Sequence, residues 1–462
     1  MNDRPPLTAH ATLSIDGTRL WQSLHDLARI GATAKGGVCR LALSELDGQA
    51  RRLVIEWAEQ AGCTVRVDAI GNIFARRPGS DPQALPVATG SHIDTQPNGG
   101  KFDGNYGVLA GLEVIRTLND AGIRTRAPLE LCIWTNEEGS RFVPVMMGSG
   151  VYCGAFTLDH ALAARDRDGV SVAEALAATG FAGDAPAAVA DGAQRYAAYF
   201  EAHIEQGPVL EAAGCTIGVV SGALGQRWYD VTVTGQEAHA GPTPMPLRRD
   251  ALFTAAQLMQ RVVEIARERA PDGRGTVGYV DVFPNSRNVI PGRVKFSVDF
   301  RHPDDAGLAA MEAALRAAAE RVAAQGNVQI DVQQVVYFPP TPFDAALQES
   351  IRAAALARGH SQMALPSGAG HDAIYVARTA PAAMIFVPCK DGISHNEIED
   401  AKPEDLAAGA QRPPPTLRNV CHPRAQKRAS SASRRNSHGG IPAASARAAV
   451  AGSIPPCLNT AR

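Results

Sequence analysis

Residues 85–135 read LPVATGSHIDTQPNGGKFDGNYGVLAGLEVIRTLNDAGIRTRAPLELCIWT, and this stretch contains the pattern from which the fold can be predicted. Two short apolar runs, Leu85–Thr89 and Leu129–Thr135, end in polar clusters, as buried parallel strands do. Between them, apolar side chains recur at helical spacing over Gly107–Ala121. The pattern indicates a strand–helix–strand unit of an α/β fold, in which functional side chains gather at the carboxyl ends of the strands.

Side chains suited to metal binding follow both predicted strands. His92 and Asp94 come after the first strand; a neutral imidazole is a good zinc ligand, and a nearby carboxylate can fix its tautomer. Asp103 lies in a glycine-rich turn at the helix start, where an isolated Asp would be interpreted as a helix cap. Glu137 and Glu138 follow the second strand. Adjacent carboxylates repel each other unless a cation or a shared proton intervenes, although an isolated pair would more often be a solvated loop.

Two further histidines, His203 and His395, lie in polar segments flanked by glycine. Either one alone would be interpreted as a structural or surface histidine. Together, five side chains supply mixed nitrogen and oxygen ligands, which suit two zinc-like ions that share one carboxylate. These side chains are His92, Asp103, Glu138, His203 and His395. Glu137 then remains as a base for proton transfer.

The middle of the chain has a different pattern, β-α-β-β-α-β, which is typical of a ferredoxin-like unit. Strand patterns occur at 226–235, 276–282, 294–301 and 328–336, and helix patterns at 248–269 and 308–322. Such a unit could bury its own core. We therefore predict an inserted domain at 216–337, between a first part (1–215) and a second part (338–411) of a catalytic domain.

Composition excludes several classes of protein. The 462 residues include 45 basic and 47 acidic side chains, and this near-neutral balance gives no reason to expect nucleic-acid or membrane binding. No apolar run approaches the roughly 18 residues that a membrane span needs. The first residues, MNDRPPLTAHATL, lack an apolar signal core. Eight cysteines form no C-x-x-C pair, so we expect reduced thiols and a cytoplasmic protein.

Eight ordered segments between Leu24 and Ala410 resemble the dinuclear-zinc amidase/hydantoinase/carbamoylase family, which is related to aminoacylases and carboxypeptidase-G-type peptidases. The segments are GSHIDTQPNGGKFDGNYGVLAGLEV, TNEEGSRF, HIEQGPVLE, AHAGPTPM, NVIPG, DFRHPD, SGAGHDA and GISHNEIE. The resemblance implies a mixed-sheet catalytic domain of the zinc-peptidase type, with the inserted domain as a lid and dimerisation domain. It also implies a homodimer that forms through this lid.

The resemblance further implies a role for each candidate ligand. Asp103 would bridge two divalent ions, with His92 and His203 on one ion and Glu138 and His395 on the other. Glu137 resembles the general base that activates the attacking water. Zinc is the expected metal, with manganese, cobalt or nickel as alternatives. A histidine at position 203 is typical of carbamoylases and allantoate amidohydrolases, whereas a carboxylate often stands there in the peptidase relatives.

Other residues resemble substrate contacts of the family. His239, on the lid, resembles the residue that reaches a neighbouring subunit's site and stabilises the developing oxyanion. Asn288 and Arg301 resemble residues that bind the substrate carboxylate, and Gln206 resembles a further substrate contact. Gly368 would lie in a tight loop beside the substrate. Asp94 and His371 would support the metal ligands. Without the resemblance, the first four would be interpreted as a surface histidine, a turn asparagine, an arginine at a strand exit and a loop glutamine.

The implied reaction is hydrolysis of the ureido C–N bond of N-carbamoyl-L-amino acids or N-carbamoyl-β-alanine, which releases amino acid, CO2 and ammonia. The substrate would have a carboxylate and a ureido group. Allantoate amidohydrolase is the alternative within the family. A relative that kept the fold without catalysis is the alternative of another class, and the retained Glu137 and ligand set argue against it.

The end of the chain departs from the family pattern. Relatives continue residues 403–410 into an apolar helix, whereas here the pattern stops at Gln411. Residues 412–462 contain nine Lys and Arg and no Asp or Glu, and they are rich in Pro, Ser and Ala. This composition predicts a disordered tail. We hypothesise an out-of-frame translation, and the alternative of a nucleic-acid-binding tail depends on charge alone.

Overall fold

The computed structural model describes residues 13–188 and 194–411. Its strands are β1 Thr64–Val67, β2 Ile73–Arg77, β3 Val87–His92, β4 Leu129–Trp134, β5 Ala198–Ile204, β6 Ile217–Ala223, β7 Gly225–Thr234, β8 Ala238–His239, β9 Arg274–Thr276, β10 Val280–Phe283, β11 Val289–Ile290, β12 Arg293–His302, β13 Gln329–Phe338, β14 Thr341–Pro342, β15 Gln362–Ser367 and β16 Ala382–Val387. Its α-helices are α1 Gly17–Ala28, α2 Glu45–Gln60, α3 Asn105–Asp120, α4 Met147–Tyr152, α5 Leu158–Ala163, α6 Val172–Thr179, α7 Val209–Ala213, α8 Ala251–Arg267, α9 Asp305–Gly326, α10 Ala345–Ala357, α11 Asp372–Val376 and α12 Pro403–Ala410.

A nine-stranded mixed sheet forms the first core. Its order is β1-β2-β4-β3-β5-β16-β6-β14, and β15 pairs with β6. The predicted strand–helix–strand unit is β3-α3-β4, and β3 pairs in parallel with both β4 and β5. All residues of these three strands are buried, which explains why β3 and β4 appear in the sequence as short apolar runs. Their parallel direction brings their carboxyl ends to one edge.

The second sheet has the order β10-β12-β7-β13, with β9 also paired to β12, and its described pairings are antiparallel. This is the ferredoxin-like strand order. Alternate residues of β7 and β12 are buried against α8 and α9, as the period-two pattern predicted. A mixed-sheet α/β protein with a β-α-β-β-α-β insertion is therefore confirmed.

The start of the insertion differs by one strand from the predicted boundary at 216. Strand β6 pairs with β14, β15 and β16, so it belongs to the nine-stranded sheet. The second sheet begins only at Gly225. The division into domains otherwise stays a prediction, and the predicted tail (412–462) lies outside the described residues.

Two observations bear on the expected environment. Within the described ranges, no helix is long and apolar enough to cross a membrane. The six described cysteines are free thiols: Cys39, Cys63, Cys132, Cys153, Cys215 and Cys389.

Candidate metal centre

The sheet edge where β3, β4 and β5 end carries most of the predicted ligands. His92 is the last residue of β3, and His203 is the penultimate residue of β5. Asp103 immediately precedes Gly104, the N-cap of α3. Gly104 has a φ of +64°, and a Cβ there would lie 2.4 Å from the His92 ring. Only glycine therefore allows the start of α3 to approach this histidine so closely.

Asp103 lies between two groups of possible ligands. Its Oδ1 is 3.8 Å from Nε2 of His92 and 3.3 Å from Nε2 of His203. Its Oδ2 is 3.2 Å from Nε2 of His395, which is itself 3.4 Å from Oε2 of Glu138. Within each group the ligand atoms lie within 4.8 Å of one another. The two oxygens of one carboxylate therefore face two different ligand groups, as a bridging ligand requires.

The two groups differ in their access to solvent. The side chains of His92 and His203 are 2% and 1% exposed, whereas that of His395 is 51% exposed. The first group is therefore enclosed, and the second opens to solvent at His395.

Electrostatics at the centre favour added positive charge. Burial lowers the pKa of His92 to about 4, so this imidazole is neutral. Burial also opposes the charged form of His203, but its hydrogen bond with Asp103 and the negative charges of Asp103 and Glu201 together outweigh this effect and raise its pKa to about 9. The hydrogen bond with Asp103 likewise raises the pKa of His395 to about 9. Protons on these two histidines thus balance the buried carboxylates, and divalent ions would replace them there.

Glu137 is buried beside the centre but belongs to neither ligand group. Its Oε2 is 3.4 Å from Nε2 of His92. Burial, and then the nearby carboxylates of Asp372 and Glu138, raise its pKa well above the usual range. A glutamate with a raised pKa and no ligand partner is suited to accept and return a proton.

Asp94 organises the segment after β4 as well as the end of β3. Its carboxylate accepts hydrogen bonds of 3.3 Å from the backbone N–H groups of Glu137 and Glu138. The Nδ1 of His92 contacts the backbone carbonyl of Asp94 at 2.9 Å, whereas the carboxylate is 3.8 Å away. The backbone carbonyl of Asp94, rather than its carboxylate, is therefore the group close enough to fix the tautomer of His92.

Sequence reasoning missed two side chains that support the ligands, Gln96 and Glu399. Gln96 donates from its backbone N–H and its side-chain amide to the carboxylate of Glu138, at 3.1 and 2.7 Å. Buried Glu399 accepts hydrogen bonds from the turn that contains Asp103. Both lie inside the matched segments, four residues after His92 and His395 respectively. This spacing from a predicted histidine ligand was the signal in the sequence that could have pointed to both residues.

The predicted substrate residues lie in three places. Gln206 lies at the metal centre, where its side-chain amide donates to Oδ2 of Asp103 at 2.9 Å. Arg301 and Gly368 are brought together, since the guanidinium donates to the Gly368 carbonyl at 2.7 Å and also pairs with Asp299. His371 contacts Ser367 at 2.9 Å, and its ring centroid is 4.6 Å from that of His203.

The remaining two lie on a separate ribbon. Strands β8 and β11 pair His239 with Val289, and Asn288 immediately precedes β11. Both His239 and Asn288 are exposed, and among the described residues no hydrogen bond joins either side chain to the metal centre. Within one subunit, neither side chain is therefore hydrogen-bonded to the candidate ligands among the described residues.

Histidine and carboxylate groups around a shared aspartate, with a glutamate left free, are typical of a metal-dependent hydrolase. Residues 88–412 match the family described as Peptidase family M20/M25/M40. The chain belongs to this family and is a hydrolase. Members of the family generally use divalent metal ions.

Named relatives support this assignment. An N-carbamoyl-L-amino-acid amidohydrolase of Rhizobium meliloti is 48% identical, over 86% of this chain and 94% of its own. An allantoate amidohydrolase of Bacillus subtilis is 36% identical, over 83% and 93%. A crystal structure of a hydantoinase/carbamoylase-family amidase of Burkholderia multivorans is 55% identical, with a TM-score of 0.86 over 89% of this chain and 100% of the other.

Proposed function

We propose that this chain is an N-carbamoyl-L-amino-acid amidohydrolase that uses two divalent metal ions. It would hydrolyse the ureido C–N bond of N-carbamoyl-L-α-amino acids or N-carbamoyl-β-alanine, with release of the amino acid, CO2 and ammonia. The observation that carries the proposal is the position of Asp103, whose two oxygens face two ligand groups. The 48%-identical relative of that name supports the substrate class.

Zinc is our proposed metal, because imidazole and carboxylate ligands suit it, and manganese, cobalt and nickel are alternatives. When bound, such ions polarise the scissile carbonyl and lower the pKa of water. The ligands would be His92 and His203 for one ion, Glu138 and His395 for the other, and Asp103 for both. We also propose a cytoplasmic location, which the free thiols support.

The chain's own residues would perform the remaining steps. Glu137 would accept a proton from the attacking water and deliver it to the leaving nitrogen. Arg301 has the planar fork that binds a substrate carboxylate in two places, and Asn288, Gln206 and Gly368 would complete the substrate contacts. His239 would stabilise the oxyanion that forms on the carbonyl.

Three substrates separate the candidate activities. We expect the metal-loaded protein to release ammonia from N-carbamoyl-L-methionine or N-carbamoyl-β-alanine, because both have a ureido group and a free carboxylate. Allantoate is the third substrate, since one relative is named an allantoate amidohydrolase. Ammonia release, measured with all three, decides between them. Release from allantoate alone would contradict the carbamoylase assignment.

We further propose that the chain forms a homodimer through the domain of the second sheet. Several of the most exposed large apolar side chains lie there, including Met245 and Leu247 at 73% each and Phe253 at 65%. Exposed apolar groups of this size favour association. A dimer would also explain why the His239 side chain makes no hydrogen bond with its own subunit's ligands among the described residues. We expect neither a nucleic-acid nor a membrane partner.

Mixing two inactive variants tests this arrangement. We expect His239→Ala and Glu137→Ala to be inactive separately but to recover about a quarter of the parent activity after subunit exchange, because half of the randomly formed dimers have one complete site. Turnover of N-carbamoyl-L-methionine before and after exchange measures this. The control is His239→Ala protein alone, taken through the same exchange procedure, which should stay inactive. No recovery despite verified exchange would contradict a role for His239 across the interface.

A further inference from the structure

Glu399 is a buried carboxylate that joins two loops of the candidate metal centre. It is 1% exposed. Its Oε1 accepts hydrogen bonds from the backbone N–H groups of Phe102 and Asp103, at 2.9 and 3.1 Å. Its Oε2 accepts the hydroxyl of Ser394 at 2.8 Å. One side chain therefore fastens the turn that contains Asp103 to the loop that contains His395.

These two loops supply two of the three ligands of the solvent-open group, and Glu138 after β4 supplies the third. Asp103 is common to both ligand groups, and His395, next to Ser394, is the most exposed ligand. The loops are almost 300 residues apart in sequence, and no strand pairing joins them among the described residues. The separation of 3.2 Å between Asp103 and His395 therefore depends on contacts such as those of Glu399.

A glycine in the first loop provides an independent observation. A Cβ on Gly100 would lie only 2.0 Å from Oε1 of Glu399. The carboxylate can therefore reach the two amides only because position 100 has no side chain. The glycine-rich turn GGKFDGN is adapted to this contact as well as to the approach of His92.

Burying a carboxylate costs free energy, and a residue that only filled this space would not have to be charged. No Lys or Arg among the described residues forms an ion pair with Glu399, and the hydrogen bonds to its carboxylate come from neutral donors. An apolar residue could fill the same space at lower cost. Two backbone amides and one hydroxyl converge on this position, and a carboxylate can accept all three hydrogen bonds, whereas an apolar residue can accept none.

We propose that Glu399 is a positioning residue that holds Asp103 and His395 at the separation needed to bind the second metal ion. The inference rests on the proposed two-ion function. Glu399 touches no reacting atom in this role, and it acts through the ligands that it places. Loss of such a partner of a metal ligand typically weakens metal affinity about 10–100-fold.

Zinc titration of the metal-stripped protein against a chelating fluorophore tests the proposal. We expect Glu399→Ala to weaken the second dissociation constant about 10–100-fold, and to regain most of the parent kcat at saturating zinc. Glu399→Gln keeps an acceptor for the two amides and should stay within about three-fold of the parent. Glu397→Ala is the matched control, because that carboxylate lies two residues earlier and faces Lys35 at 3.3 Å instead.

The outcomes separate this proposal from the function on which it rests. A folded Glu399→Ala protein with both dissociation constants equal to those of the parent would overturn the positioning role alone. Should Glu399→Ala fail to fold, Gly100→Ala decides, because its Cβ displaces the carboxylate and is expected to weaken the same constant. A parent protein that binds no zinc would overturn the two-ion function itself.

Discussion

Glu137→Gln is expected to lower kcat by about 10²–10⁴-fold while the bound metal stays unchanged, because the substitution removes the proposed general base and no ligand. Glu137 is buried beside His92, where burial and the nearby carboxylates of Asp372 and Glu138 raise its pKa. Glutamine has the same shape but cannot accept the proton. Steady-state turnover of N-carbamoyl-L-methionine, with metal content measured on the same samples, checks both expectations.

Glu397→Gln is the matched control for this variant. Glu397 lies two residues after His395 in the sequence, but its carboxylate pairs with Lys35, so turnover should stay at the parent level. Parent-level turnover by Glu137→Gln would contradict the assigned base. Loss of both the bound metal and turnover would instead show that Glu137 is a metal ligand.

Asp103→Ala is expected to remove both metal ions and all measurable activity. Oδ1 faces His92 and His203, and Oδ2 faces His395, so one substitution breaks both ligand groups. His395→Ala should lose only the ion of the solvent-open group and keep the other. Metal content after dialysis, measured by atomic spectroscopy, distinguishes the two variants.

A histidine far from the centre provides the control for metal content. His160 is exposed on α5, and its replacement by alanine should leave two ions bound. Two ions retained by folded Asp103→Ala would show that this carboxylate is no bridge. One ion retained would mean that the groups bind independently.

The sequence patterns predicted the local elements well and the long-range pairings less well. Apolar runs and helical spacing gave β3, α3 and β4, and period-two alternation gave β7 and β12. The boundary at 216 missed β6, because this strand pairs with β15 and β16, which come more than 130 residues later. Local patterning contains no information on such a partner.

The same distinction applies to the site. Strand-end logic alone pointed to His92, Asp103 and the Glu137–Glu138 pair, because parallel strands end at one edge. His203 and His395 became candidates only in combination with the other three ligands, and the family resemblance then implied which ion each would bind. Glu399 escaped notice because its function depends on backbone amides almost 300 residues away, which no motif in one sequence displays.

Metal titration of the stripped protein, followed by ammonia release from N-carbamoyl-L-methionine, tests the central claim most directly. A two-ion hydrolase should be inactive when stripped and regain full activity at two zinc ions per chain, because both ligand groups must be filled. Full activity in the stripped protein, or none with both ions bound and all three ureido substrates supplied, would contradict this account.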